Sequence, residues 1–379
     1  MLLYVVKRQP QRIREITWDE ILSGIELVES QWYPNNKPSG TITRLMRDRD
    51  CPPFDCVNTL KLFQQFCEKH ENLFRQNRKS LYYQFNIPKS SGGQRQISAP
   101  VPELKAALND LKYLLEEKCG VLYHTSAFAY VKGRCTKDLD LKHALNKSNW
   151  FLKLDFKDFF PSINFDFLME IIYDIYPFGL MKPVSPNQTD YIRKALSLAM
   201  LEDGLPQGSP LSPLLSNLVM IPFDHMVFNK CCIYHLIYTR YADDITISSE
   251  KKFDYHMGLR IIQWAIDVLH APLKINKDKT KFVNNSGKNW MLGLMVNKDH
   301  KVTIGHKRKK CMKAALCNFL LDTLHGQRWS VEEAMELRGK YSYYHMIESG
   351  YFDYVVRKLN TKYQANVLEL LSKTIAGTI

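Results

Sequence analysis

Two aspartates stand side by side in "YTRYADDITISS", residues 238–249, between two β-prone runs. The pattern predicts strand, turn, strand, with Asp243 and Asp244 at the turn. Asp-Asp is also ordinary turn chemistry. A second stretch, "NWFLKLDFKDFFPSI", begins as a strand with Phe151, Lys153 and Asp155 on one face and Leu152, Leu154 and Phe156 on the other. If these strands are neighbours in one sheet, three carboxylates converge on one edge. Three close anions tolerate one another only with cations between them, and Mg2+ prefers a few carboxylates plus substrate phosphates.

The rest of the chain reads as helices around these strands. "TWDEILSGIELVESQW" opens with Thr17 and Glu20 at capping-box spacing, and "VNTLKLFQQFCEKHENLF" continues with helical periodicity. Residues 1–78 are therefore expected to form a helical N-terminal region. "YYQFNIPKSSGGQRQISAP" predicts a β-hairpin around its Gly-Gly turn, and "VPELKAALNDLKYLLEEKC" a helix. "GLPQGSPLSPLLSNLVM" is a Pro/Gly loop entering a helix, with Ser212 placed to cap it and Pro213 at its first position. In the tail, one helix is expected to stop at Gly326. Another should run from a Ser330/Glu333 capping box to Gly350.

At 379 residues the chain exceeds one small core. Its charge of +13 and pI near 9.1 point to a polyanionic partner. No apolar run approaches the ~20 residues of a membrane span. Nine cysteines without paired spacing predict free thiols in a reducing cytoplasm.

Taken together, these stretches resemble the motifs of reverse transcriptases. "YADD" is similar to the family's catalytic turn, "FLKLDFKDFFPSI" to its first carboxylate motif and "GLPQGSPLSPLLSNL" to the segment between them. "LKINKDKTKF" and "WMLGLMVN" follow in the family's order. The resemblance implies an α+β right-hand polymerase: residues 79–300 as fingers and palm, and 301–379 as a helical thumb. It implies RNA-templated DNA synthesis with two Mg2+ ions held by Asp155, Asp243, Asp244 and the Phe156 backbone carbonyl. Two such metals would activate a 3′-hydroxyl and stabilise the leaving pyrophosphate.

The deoxynucleoside triphosphate is expected at five side chains. Lys89 and Arg95 flank the Gly-Gly turn and suit a triphosphate, one as a point charge and one as a fork. Phe160 stands where the resemblance puts an aromatic ring under the sugar, which would exclude a 2′-hydroxyl. Gln207 would hydrogen-bond sugar or base, beside Gly208, which lets backbone come close. Lys279 would neutralise charge near the triphosphate, although a surface lysine is the competing account. Gly293 marks a tight turn beneath the primer strand. "HKRKK", residues 306–310, reads as a phosphate-contacting run or a solvated helix face.

"AFAYVKGRCTKDLDLKH" is similar to a segment of bacterial retron enzymes. It keeps their His143 but has Leu139-Asp140 where they carry Asn-Ala, and Met291-Leu292-Gly293 replaces their Val-Thr-Gly. A related phage-defence reverse transcriptase thus stays open. The retron resemblance implies a structured non-coding RNA that serves as template and primer, a DNA product, a separate effector protein and a role in antiphage defence. The alternatives are a group II intron or diversity-generating enzyme, and an RNA-binding scaffold with an idle site.

Overall fold

The structure is a computed structural model that describes residues 54–88, 92–119, 123–185, 187–284 and 290–378. The capping box expected at Thr17, and Lys89, lie outside the described residues. The chain packs as two units. Of the described residues, one takes those up to Arg134 together with Leu152–Ile247 and Asp254–Lys281; the other takes Cys135–Phe151, Ser248–Phe253 and those from Phe282 onward.

In the first unit, helix Cys56–Lys69 starts where the Asp55 carboxylate accepts from the Asn58 N–H. Strands β1 (Tyr82–Pro88) and β2 (Gln94–Pro100) then pair antiparallel as the expected hairpin. Gly92 and Gly93 both adopt positive φ at its tip, a region open to glycine at no steric cost. Helix Pro102–Tyr113 follows and extends through a π-helical turn to Lys118. Its Leu104, Leu108, Leu111 and Leu115 recur at helical spacing and face the core.

The site rests on a sheet with strand order β4 (Ile237–Tyr241), β5 (Asp244–Ser249), β3 (Trp150–Lys157) and β6 (Lys274–Ile275). β5 and β3 are therefore neighbours, which is the condition for the carboxylates to converge. Helices Phe165–Asp174, Ser212–Val219 and Ile221–Ile233 supply further apolar packing within this unit, with Leu168, Leu215 and Phe223 among their buried residues.

Ser212 is not the cap its position suggested. Leu211 holds the N-cap place, Ser212 is already helical, and its hydroxyl donates to the Pro206 carbonyl at 2.8 Å. That bond ties the "LPQG" loop to the helix it precedes.

In the second unit, β7 (Lys281–Asn284) carries Phe282, whose ring stacks on Trp150 at 5.4 Å. β8 (Trp290–Met291), β9 (Leu294–Val296) and β10 (Val302–Thr303) form a small antiparallel sheet. Leu292 and Gly293 join β8 to β9, both at positive φ, so Gly293 does mark a tight turn. Helices His306–Leu324, Val331–Ile347, Ser349–Tyr363 and Val367–Ile375 close a core around Phe319, Leu320, Phe352 and Leu371. Each such side chain contributes about 1.5–3 kcal/mol by leaving water.

The Ser330/Glu333 capping box forms. Gly350, expected as a helix stop, lies instead in the first turn of the next helix. Glu348 ends the preceding one, where its carboxylate accepts from the Thr303 hydroxyl, the Ile304 N–H and Lys309. Buried His143 is paired through Nδ1 with the Ser248 hydroxyl at 2.6 Å.

Candidate active site

β4 ends at Tyr241 and β5 begins at Asp244, so Ala242 and Asp243 form the turn between them. Ala242 sits at φ 55, and Asp243 is not among the positive-φ residues. A positive φ is the left-handed region, where glycine is usual. Holding an alanine there costs about 1–2 kcal/mol, so something must impose it.

The constraint is a charged network beneath the turn. Arg240 and Asp224 are both fully buried, with Nη2 and Oδ2 2.7 Å apart. Arg240 Nε donates to Asp224 Oδ1 at 2.8 Å, and the Tyr238 hydroxyl donates to the same oxygen at 2.6 Å. The remaining guanidinium nitrogen, Nη1, donates to Asn217 Oδ1 and to the Ala242 carbonyl, each at 3.1 Å. Burial alone would raise the Asp224 carboxyl, but the Arg240 charge and its hydrogen bonds outweigh it and hold it below its ordinary range. This network is not apparent from any local pattern in the sequence. Its signal was an arginine at an inward strand position, which demands a buried acid, and Asp224 stands alone in the apolar run "IPFDHMVF".

Above the network the three carboxylates meet. Asp155 is buried on β3, and the Phe156 N–H donates to the Asp243 carbonyl at 3.3 Å, which ties β3 to the turn. A strand residue's N–H and C=O leave by the same edge, so the Phe156 carbonyl also points toward the turn. Burial, then the charges of Asp244 and Asp155, push Asp243 up to about 6. Burial and then Asp155 do the same to Asp244, up to about 6, against the pull of Lys279 and Lys153. The Asp244 side chain is nevertheless exposed. Its open side damps the effect of burial and leaves access for a cation.

The donor set suits a hard divalent ion, because every ligand would be an oxygen. Lys279 Nζ already acts as a stand-in cation, 2.5 Å from Asp155 Oδ2. Among the described residues, no group of three or more His, Cys, Asp or Glu is arranged as a ready-made metal cage.

The expected nucleotide residues are gathered only in part. Arg95 is exposed on β2, opposite Ile87. Phe160 is half-buried, its ring 5.5 Å from that of buried Phe159, and its carbonyl accepts from the Leu205 N–H at 3.1 Å. Gln207 is half-buried, and its carbonyl accepts from the Ser98 N–H at 2.7 Å. That bond clamps the loop onto the hairpin. Gly208, at φ 118, leaves no room for a side chain: a Cβ there would lie 2.8 Å from Ile97 and 2.9 Å from the Ser98 carbonyl. The glycine is thus required by the approach of β2.

Tyr130, another residue the sequence did not single out, lies close enough to feel this site. Burial, then Asp243 and Tyr241, raise its pKa, against the pull of Arg95.

In the second unit, the "HKRKK" run is divided. Arg308 donates to the Gly293 carbonyl and lies over the Trp290 ring. Lys309 pairs with Glu348 at 2.6 Å. Lys307 and Lys310 are exposed.

Residues 87–311 match the family model "Reverse transcriptase (RNA-dependent DNA polymerase)". The retron Ec73 reverse transcriptase of Escherichia coli is 30% identical over 289 residues, covering 74% of this chain and 86% of that protein. The retron Ec83 reverse transcriptase of Escherichia coli is 26% identical over 304 residues, covering 78% and 91%. Among solved structures, apo telomerase from Candida tropicalis overlays 94% of this chain and 67% of its own at 14% identity and TM-score 0.44. With the carboxylates placed on a shared sheet edge, the family match and the retron relatives lead to one conclusion: the chain belongs to the reverse transcriptase family, as a retron-type RNA-directed DNA polymerase of right-hand fold.

Proposed function

We propose that Asp155, Asp243 and Asp244, with the Phe156 carbonyl, form the catalytic centre and hold two Mg2+ ions. The observation that carries this reading is the meeting of three mutually repelling carboxylates at one turn, with Lys279 already drawn to Asp155. When bound, the ions would favour the ionised 3′-hydroxyl and balance charge on the leaving pyrophosphate. The protein's part is to hold the oxygens in place: the Arg240 network fixes the turn, and the Phe156–Asp243 bond fixes β3 against it.

Arg95, Lys89 and Lys279 supply cationic partners for the triphosphate, Gln207 a side-chain amide, and Phe160 the ring that excludes a 2′-hydroxyl. Lys279 is 62% exposed, so exchanging Asp155 for a phosphate oxygen requires no opening of the core.

The substrate RNA is a dedicated structured non-coding RNA that serves as template and primer and stays bound to the enzyme, with its DNA product as a further partner. The system works in antiphage defence with a separate effector protein, as the retron resemblance implies. The net charge of +13 suits such a partner. Sequencing the nucleic acid that copurifies with the protein tests this. One abundant structured RNA, with DNA copied from part of it, is expected; a random sample of cellular RNA contradicts a dedicated template.

A further inference from the structure

Tyr130 has three features that packing alone does not require. Its backbone is left-handed, at φ 59, a rare conformation for an aromatic residue. Its side chain stays 51% exposed, so burial does not account for the ring. That ring lies 6.5 Å from the Phe160 ring, tilted by 55°, within the range of a favourable aromatic pair.

The conformation is imposed from below. The Ala129 carbonyl accepts from Asn217 Nδ2 at 2.8 Å, and the Phe128 N–H donates to the Arg240 carbonyl at 2.9 Å. Arg240 in turn holds Asn217 and the carboxylate turn. One buried network thus positions both Asp243 and Tyr130. Strain of this kind persists only where the surroundings over-determine it, and it concentrates at functional sites.

Phe160 projects from the short helix Phe159–Ser162 and is only half-buried. A ring that must refuse a 2′-hydroxyl has to resist being pushed aside. The buried Phe159 ring centres 5.5 Å from it, and the half-exposed Tyr130 ring centres 6.5 Å from it.

We propose that Tyr130 is a specificity-determining residue whose ring braces Phe160, so that the sugar gate cannot yield to a ribonucleotide. This rests on the assignment of Phe160 to the sugar. The test compares kcat/KM for a matched deoxynucleotide and ribonucleotide, with template–primer affinity measured alongside. Tyr130→Ala should lower the discrimination ratio roughly 2- to 12-fold, the worth of one aromatic pair. Tyr130→Phe keeps the ring and should leave the ratio unchanged. Tyr130→Asn suits a left-handed backbone and should reproduce the alanine effect without loss of folding. In Phe160→Ala the discrimination should fall further, and adding Tyr130→Ala should then change nothing more, because the braced ring is gone. If Phe160→Ala relaxes discrimination while Tyr130→Ala and Tyr130→Asn do not, the brace is refuted and the sugar assignment stands. If none of the variants changes the ratio, the sugar assignment itself fails.

Discussion

Replacing Asp224 by asparagine keeps the side chain's shape and removes its charge. The carboxylate accepts from Arg240 Nε at 2.8 Å, Arg240 Nη2 at 2.7 Å and the Tyr238 hydroxyl at 2.6 Å, with no exposed surface. An amide can offer one acceptor oxygen, and its NH2 would face a guanidinium donor. The Arg240 charge would then be buried without a counter-ion. Breaking such a pair costs about 3–5 kcal/mol, from a total stability on the order of 5–15 kcal/mol. At about 1.4 kcal/mol per tenfold, the folded-to-unfolded ratio falls by roughly a hundredfold or more.

Urea unfolding of wild type and Asp224→Asn, compared at equal slope, reads the loss directly. A double variant, Asp224→Leu with Arg240→Met, should cost much less than the sum of its singles, because an apolar pair leaves no stranded charge. The pH dependence has a defined sign. Asp224 is held below its ordinary range, so its contribution is present above that range and is lost as the pH falls through the folded-state value. The gap between wild type and variant should therefore narrow only in strong acid. A loss under about 1 kcal/mol, or additive singles, would refute the claim that a buried ion pair supports the turn.

Other outcomes follow from the same structure. Lys307→Ala with Lys310→Ala should flatten the salt dependence of RNA binding by up to about 1.4–1.8 log–log units if both touch phosphate. Arg308→Ala and Lys309→Ala should instead lower stability, since these cations are engaged within the protein; an unchanged slope in the first pair returns it to a solvated face. Asp174 is raised to about 6 by burial, with Glu170 adding and Lys182 opposing. Its folded-state value exceeds its unfolded one, so stability falls as pH rises from about 4 to 6. Asp174→Asn should then stabilise the protein at pH 8, by clearly less than the ~3 kcal/mol of the full shift because the carboxyl is partly open to water, and leave it unchanged near pH 3; equal melting at both pH values would contradict this.

The elements that carry the carboxylates were legible because their signals are local. Alternating β-branched and aromatic residues in "LIYTRY" and "DITISS" mark strands, and the residues between them can only turn. What the sequence hid was nonlocal. Ser212 looked like a cap, but Pro206 offered its hydroxyl a carbonyl and the helix began one residue early. Gly350 looked like a stop, but Glu348 had Thr303, Ile304 and Lys309 to satisfy and ended the helix first. "HKRKK" read as one run of charge, yet Arg308 and Lys309 find partners on other elements. Arg240 and Asp224 are 16 residues apart, with no periodicity to join them. Gly208 was assigned to the nucleotide, and only the fold shows how closely Ser98 and Ile97 approach it.

RNA-templated primer extension by Asp155→Asn, Asp243→Asn and Asp244→Asn, with RNA affinity measured in parallel, tests the catalytic centre most directly. DNA synthesis should fall to background in each variant while the RNA is still bound at close to wild-type affinity, because these carboxylates hold metal and not template. Full synthesis by the Asp243→Asn, Asp244→Asn double variant would contradict the assignment of the turn carboxylates to the metal ions.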